Sequence, residues 1–207
     1  MQVSDIQTST RRESGEDRRR AIALAARQLI IEKGLEGLRT RDIAERVGIN
    51  IATLHYHVPS KEALIQLVAE TIRDQFAEQG RRRPRSHLPP LRQLEMELAD
   101  MRETIAETPD LVMVFVEMLD HARRNRQVDA VMTPIHTYWT GQIETILAQG
   151  VAEGTFRADL DPRAQARIIT GALGDFWHRS PTQFAEFDAI AAEIVRGIIN
   201  PHSSFTE

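Results

Sequence analysis

The 207-residue sequence contains no cysteine. That absence excludes disulfides, thiolate zinc sites and cysteine nucleophiles, and it accords with a reducing compartment. There is no apolar run of 18 or more residues, and Met1–Arg20 is polar and charged. Neither a membrane span nor a secretory signal is expected, so the expected location is the cytoplasm. No stretch sustains the alternation of a strand, and no internal repeat or low-complexity segment occurs. Also missing are a Ser/His/Asp ordering, a paired-carboxylate loop, a phosphate-binding glycine loop and an HExxH pattern, which leaves enzymatic chemistry without a motif. A chain of this length, 42% hydrophobic and 27% charged, is an ordinary globular protein with room for one domain and a small second one.

The net charge of −4 is unevenly spread. Residues 1–61 carry 11 Lys and Arg against 8 Asp and Glu; residues 62–207 carry 15 against 22. A net positive first part on an acidic remainder suits approach to a polyanion, although ordinary surface produces the same excess.

Read along the chain, every element is helical. Residues 1–17 are expected to form a mobile polar arm; Arg11 and Arg12 within it, and Arg18, Arg19 and Arg20 just after it, are solvated or touch phosphates. Ser14 and Asp17 make a capping box for a first helix with Ile22, Ala26, Leu29 and Ile30 on one face. Gly34-Leu35 ends it. Thr40 caps a second helix over Arg41–Val47, which Gly48 breaks, and Asn50 caps a third from Ile51 to about His57. Pro59-Ser60-Lys61 ends the third and caps a fourth, about Lys61–Gln79. Gly80 to Pro90 reads as a linker, with Arg81-Arg82-Arg83-Pro84-Arg85 as a solvated turn. Helices then follow at about Leu91–Glu107, Pro109–Arg124, Val128–Glu153, Pro162–His178 and Thr182–Ile199. Pro134 either kinks the third of these or marks its true start.

Thr40–His57 has the residue types of a helix-turn-helix. Ala44 is small where the helices cross, Gly48 permits the turn's positive φ, and Ile43, Val47, Ile49 and Leu54 form a shared core. In such a motif the second helix enters the major groove. The competing reading is a plain helical hairpin. Thr40–Asn50 (TRDIAERVGIN) followed by Thr53–Leu64 (TLHYHVPSKEAL) resembles the DNA-binding domain of the TetR family of bacterial repressors, with similarity from about Arg19 to Leu67. Gly150, Gly154-Thr155-Phe156 and Asp159–Pro162 resemble the turn before that family's penultimate helix. The resemblance implies an N-terminal helix-turn-helix domain (residues 18–62) on a C-terminal helical bundle for ligand binding and dimerisation (residues 63–207). It implies that Thr40, Arg41, Thr53, Tyr56 and Lys61 meet the DNA backbone or groove edge, and that Asn50, Ile51, Ala52 and His55 face base edges. Ile51 and His55 depart from the family's commoner choices, so the operator sequence does not follow. His55 and His57, two residues apart, point to different faces and make no metal pair; His57 is expected to pack on the first helix.

In the C-terminal part the penultimate helix has two apolar lines. Ala164, Ile168, Ala172 and Asp175 form one; Ile169, Leu173, Phe176 and Trp177 form the other. The last helix has a broad stripe through Phe184, Phe187, Ile190, Ala191, Ile194, Val195 and Ile198. A second apolar line implies a second packing partner, and Gly171, Ala172 and Gly174 permit close approach. A four-helix homodimer interface is expected, with burial inside the same domain as the alternative. Met101, Phe115, Met118, His121, Met132, His136, Tyr138, Trp139, Phe176 and Trp177 are candidate contacts for a mostly apolar ligand, each also readable as core. Glu117 and His121, one turn apart, are a metal pair without an evident third ligand, so no metal or cofactor is expected.

The function expected is a repressor released from a palindromic DNA site when a small molecule favours a DNA-incompetent state, transmitted through the fourth helix. The alternatives are a small all-helical enzyme and a helix-turn-helix protein serving only as an interaction module; intact Tyr56, Ser60 and Lys61 argue against the second.

Overall fold

The computed structural model describes residues 14–178 and 184–201. The arm expectation for residues 1–13, including Arg11 and Arg12, lies outside them, as does the start of the last helix at Thr182. Among the described residues there are nine α-helices: α1 (Gly15–Lys33), α2 (Thr40–Val47), α3 (Ile51–His57), α4 (Lys61–Arg82), α5 (Pro90–Glu107), α6 (Pro109–Ala122), α7 (Arg126–Ala152), α8 (Pro162–Gly174) and α9 (Phe184–Ile198). A 3-10 turn, Asp175–His178, extends α8. The fold class is all-α, as expected; extended pairing is limited to one bridge between Phe156 and Ile199. No described helix is long and apolar enough to cross a membrane.

The caps explain most of the boundaries. Ser14 and Asp17 form the reciprocal capping box of α1, and Gly34 ends that helix at φ +69°. Gly48 closes α2 in the left-handed region at φ +73°. Asn50 accepts from the Thr53 amide at 2.7 Å, and Ser60 from the Ala63 amide at 3.1 Å. Asp161 caps α8 by accepting from the Arg163 and Ala164 amides. Each such cap satisfies an amide that a helix start leaves without a partner.

Two of these boundaries differ from the sequence reading. Thr40 is the first residue of α2 and not its cap; Arg39 holds the cap position without a side-chain bond. The fourth helix continues through Gly80 to Arg82, because Arg81 and Arg82 pair back onto Glu78 one turn earlier. Pro134 lies inside α7, which runs on both sides of it, so of the two readings offered it does not mark that helix's start. The solvated-turn reading of the basic run also needs correction. Arg83 pairs with Asp100 and Glu103, while Arg85 is mostly buried between Glu97 and Asp100 of α5. The connection is therefore strapped to α5 by charge.

Two apolar clusters result. One holds Ile22, Leu29, Leu35, Ile43, Leu54 and Val58 of the first three helices together with Leu64, Val68 and Ile72 of α4, Leu111, Phe115 and Met118 of α6, and Met132 of α7. The other joins α5, α7, α8 and α9 through Leu94, Ile143, Leu147, Phe156, Ile169, Leu173 and Phe187. The first cluster seats the helix-turn-helix directly on α4 and α6.

Candidate nucleic-acid interface and effector region

The helix-turn-helix is built around Leu54, fully buried on the inner side of α3, with Ile43 and Ala44 of α2 buried against it. Val47 and Ile49 pack on the same cluster. With Leu54 turned inward, helical geometry turns Ala52, His55 and Tyr56 outward, and Ile51 stands at the open start of the helix. All four are exposed: Ile51 by 44% and Tyr56 by 85%. The Tyr56 ring meets His57 edge-on at 5.2 Å, while Ile51 adds an exposed apolar side chain to the same short helix. Thr53 is partly exposed beside them.

Around this helix the charges divide into two sets. Arg46 binds Glu32 through both guanidinium nitrogens, at 2.7 and 2.8 Å, and Lys33 binds Asp42 at 2.6 Å. Those bonds hold Glu32 and Asp42 below the usual carboxylate range and raise Arg46. These cations serve to clamp α2 to α1. Arg19 donates to the His57 carbonyl at 2.9 Å and so ties the start of α1 to the end of α3. His57 lies against α1 as expected: a Cβ on Gly15 would stand 3.9 Å from its ring. Arg41, at the N-terminal end of α2, is exposed, and Lys61 is half-buried at the first position of α4. Both helix starts present positive ends as well as cations, which is the arrangement that holds phosphate oxygens. Of the expected contacts, Arg41, Asn50, Ile51, Ala52, His55 and Tyr56 are exposed, and Thr40, Thr53 and Lys61 are partly exposed.

The expected ligand contacts are less united. Phe115, Met118 and Met132 are buried in the cluster that supports the helix-turn-helix; Met101 and Phe176 are buried in the other. Trp177 packs against both clusters. An aromatic ladder joins them: Phe76 to Phe115 at 5.6 Å, Phe115 to Trp177 at 4.6 Å, and Trp177 to Trp139 at 5.7 Å between ring centroids. Trp177 Nε1 is buried without an acceptor. His136 is exposed on α7, and Tyr138 is 68% exposed, so neither is brought to this ladder. His121 is half-buried with Nδ1 3.6 Å from Glu36. Glu97 of α5, its side chain 17% exposed, is a carboxyl that the sequence reading missed. Burial pushes the Glu97 carboxyl up, against the opposing pull of Arg85. Arg85 Nη1 stands 3.0 Å from Glu97 without the alignment of a hydrogen bond. The signal in sequence was Arg85 following Pro84, where a bend returns the side chain to α5.

Among the described residues no three His, Asp or Glu side chains converge as a metal set. Glu117 and His121 instead both reach the α1–α2 turn: Glu117 accepts from the Leu35 amide at 3.0 Å, and His121 faces Glu36.

Of the two apolar lines on α8, Ile169, Leu173 and Phe176 are buried within the chain. The other remains outside: Ala164 and Gly171 are exposed, and Ile168 is 57% exposed.

A family model described as bacterial regulatory proteins, tetR family, matches residues 22–68, which begin in α1 and end in α4. Over nearly its whole length the chain is similar to the HTH-type transcriptional repressor KstR2 of Rhodococcus jostii, with 26% identity over 200 residues, 92% of this chain and 96% of that one. Its fold matches a TetR transcription regulator from Haloarcula marismortui at a TM-score of 0.80 and 19% identity, covering 89% of this chain and 99% of the other. It also matches the Bacillus subtilis regulator FadR, solved in complex with stearoyl-CoA, at a TM-score of 0.74 and 19% identity, with 86% and 98% covered. The helix-turn-helix geometry and these likenesses together support the TetR family of bacterial regulatory proteins, and residues 22–68 carry the match to that family's model.

Proposed function

We infer that this chain is a sequence-specific DNA-binding transcriptional repressor, released from its operator by a small, mostly apolar molecule. The observation that carries the reading is the outward face of α3, where Ile51, Ala52, His55 and Tyr56 are exposed beside the helix starts at Arg41 and Lys61. Ile51 and Ala52 suit contact with thymine methyl groups, and His55 and Asn50 suit hydrogen bonds to purine edges. Thr40, Arg41, Thr53, Tyr56 and Lys61 supply the phosphate contacts that set register. Residues 18–62 form the DNA-binding unit, and residues 63–207 the effector-binding and dimerisation part. As a repressor acting on DNA, the protein works in the cytoplasm.

Two copies join through α8 and α9 as a homodimer, a reading supported by the exposed line of Ala164, Ile168 and Gly171. Glycine and alanine there let a second helix approach closely. A two-fold dimer reads a palindromic site through two recognition helices. The effector binds among Met101, Phe115, Met118, Met132, Trp139, Phe176 and Trp177, with His121 at its edge. The related FadR bound to stearoyl-CoA supports a long apolar occupant for a domain of this shape. No enzymatic step is assigned to any of these residues.

The test is binding of the purified protein to DNA from upstream of its own gene, with scrambled competitor, at low and moderate salt. Saturable binding that survives competitor and weakens steeply with salt is expected. Absence of binding to any DNA at low salt refutes the reading.

A further inference from the structure

The end of α1 leaves an accounting problem that Glu117 solves. Gly34 donates to the Ile30 carbonyl at 2.8 Å, Gly37 to Gly34 at 3.2 Å and Leu38 to Leu35 at 3.3 Å. The Leu35 amide belongs to a residue 1% exposed, and its acceptor is the Glu117 carboxylate, 82 residues later on α6, at 3.0 Å. A buried amide needs such an acceptor. Gly34, at φ +69°, supplies the backbone conformation that presents this amide, and the same carboxylate oxygen lies in ordinary contact range, 3.5 Å, of where its Cβ would stand. One turn further along α6, His121 faces Glu36 of the same turn. Two side chains of α6 thus grip two successive residues between α1 and α2.

The apolar cluster around this point is continuous, but apolar burial is non-directional and tolerates sliding. A charge-assisted hydrogen bond has direction. It sits at one end of α1, and Arg19 links the other end of α1 to the recognition helix through the His57 carbonyl. A 19-residue helix is about 28 Å long, so a tilt of about 10° at the grip moves the far end by about 5 Å. That exceeds the rise of one base pair, about 3.4 Å.

We propose that Glu117 is a positioning residue for DNA recognition: its bond to the Leu35 amide fixes the tilt of α1 and thereby sets the separation of half-sites the protein accepts. The proposal rests on the repressor and dimer reading above.

The experiment begins by selecting an operator from a random DNA pool with the wild-type protein. Affinity is then measured for that operator and for versions with one base pair inserted or removed between the half-sites. Wild type is expected to discriminate against both altered spacings. Glu117→Gln keeps an acceptor oxygen toward Leu35 and is expected to retain the discrimination. Glu117→Ala removes the acceptor and is expected to narrow the discrimination about tenfold, the effect of one lost hydrogen bond to a charged group. A folded Glu117→Ala protein with wild-type discrimination overturns the proposal. So does a uniform loss of affinity at every spacing, which marks a purely structural role, and so does a Glu117→Gln protein that behaves like Glu117→Ala. If Glu117→Ala does not fold, amide exchange at Leu35 in the wild type decides. By reciprocal linkage, the selected operator must slow that exchange more than the altered spacings do, and equal protection overturns the proposal. A wild-type protein that selects no DNA removes the repressor reading itself, and the proposal falls with it, an outcome visible before any variant is made.

Discussion

Replacing Gly150 by alanine tests how the turn before α8 is built. A Cβ at this position would stand 2.0 and 2.2 Å from two ring carbons of Phe156, where carbon atoms ordinarily rest about 3.5 Å apart. The ring must retreat by about 1.5 Å, yet it is fully buried. Its backbone is held on both sides: Phe156 donates to Gly150 at 3.0 Å, Arg157 to Ile198 at 2.9 Å and Asn200 to Thr155 at 3.0 Å. If the core strains to accept the methyl group, the cost is about 1–3 kcal/mol. If the ring leaves, its lost burial costs about 1.5–3 kcal/mol. Either loss is partly offset by about 0.9 kcal/mol, because alanine is the better helix former. The net destabilisation is about 0.1–2 kcal/mol, read as a Tm lower by up to about 8 °C in a chain of this size. A Cβ on Gly141, in the same helix, would meet nothing within 4 Å. Gly141→Ala should therefore raise Tm by about 2–4 °C. Both variants are melted by circular dichroism at one protein concentration, since assembly makes Tm concentration-dependent. A Gly150→Ala protein as stable as Gly141→Ala refutes the reasoning.

Three further outcomes are expected. Lys61→Ala should weaken operator binding and reduce the slope of log K against log salt by about 1.8, through loss of one phosphate contact in each protomer of the dimer; fluorescence anisotropy across salt concentrations measures it, and an unchanged slope argues against that contact. Ile168→Glu places a charge on the exposed line of α8 and should convert the dimer to monomer in analytical ultracentrifugation while leaving the helical spectrum intact, because the side chain is already 57% exposed within the chain. Burial raises the Glu97 carboxyl above its ordinary 4.5. A folded-state value above the unfolded one gives stability that is fully present below the unfolded value and lost as pH rises through the folded value. The Tm of wild type relative to Glu97→Gln should therefore fall as pH is raised from below 4.5, and a pH-independent difference refutes the assignment.

Much of the DNA-binding part was legible in sequence because its signals are local. Ser14 with Asp17, Asn50, Ser60, Gly34 and Gly48 each act within three or four residues, and each ends or starts the helix it was expected to. The two lines of α8 were also readable from period alone. What was not legible depends on distant partners. The basic run after α4 looks solvated until α5 folds back to bring Asp100 and Glu97 to Arg83 and Arg85. Glu117 and His121 looked like a metal pair because i, i+4 spacing puts them on one helix face. Their true counterparts, Leu35 and Glu36, lie more than eighty residues earlier. His136 and Tyr138 were indistinguishable by type from the buried aromatics, and only the rotation of α7 turns them outward.

The apolar cluster that runs from Ile22 through Leu54 to Phe115 and Met132 bears on how this protein can be engineered. A head cut off after α3 would carry Leu29, Leu35 and Val58 into water with no α4 or α6 to cover them, and the remaining bundle would bare Leu111, Phe115 and Met118. Grafting this reading head onto another bundle, or another head onto this one, therefore requires moving the inner faces of α4 and α6 with it. The seam for a working chimera lies inside the bundle, beyond the inner faces of α4 and α6.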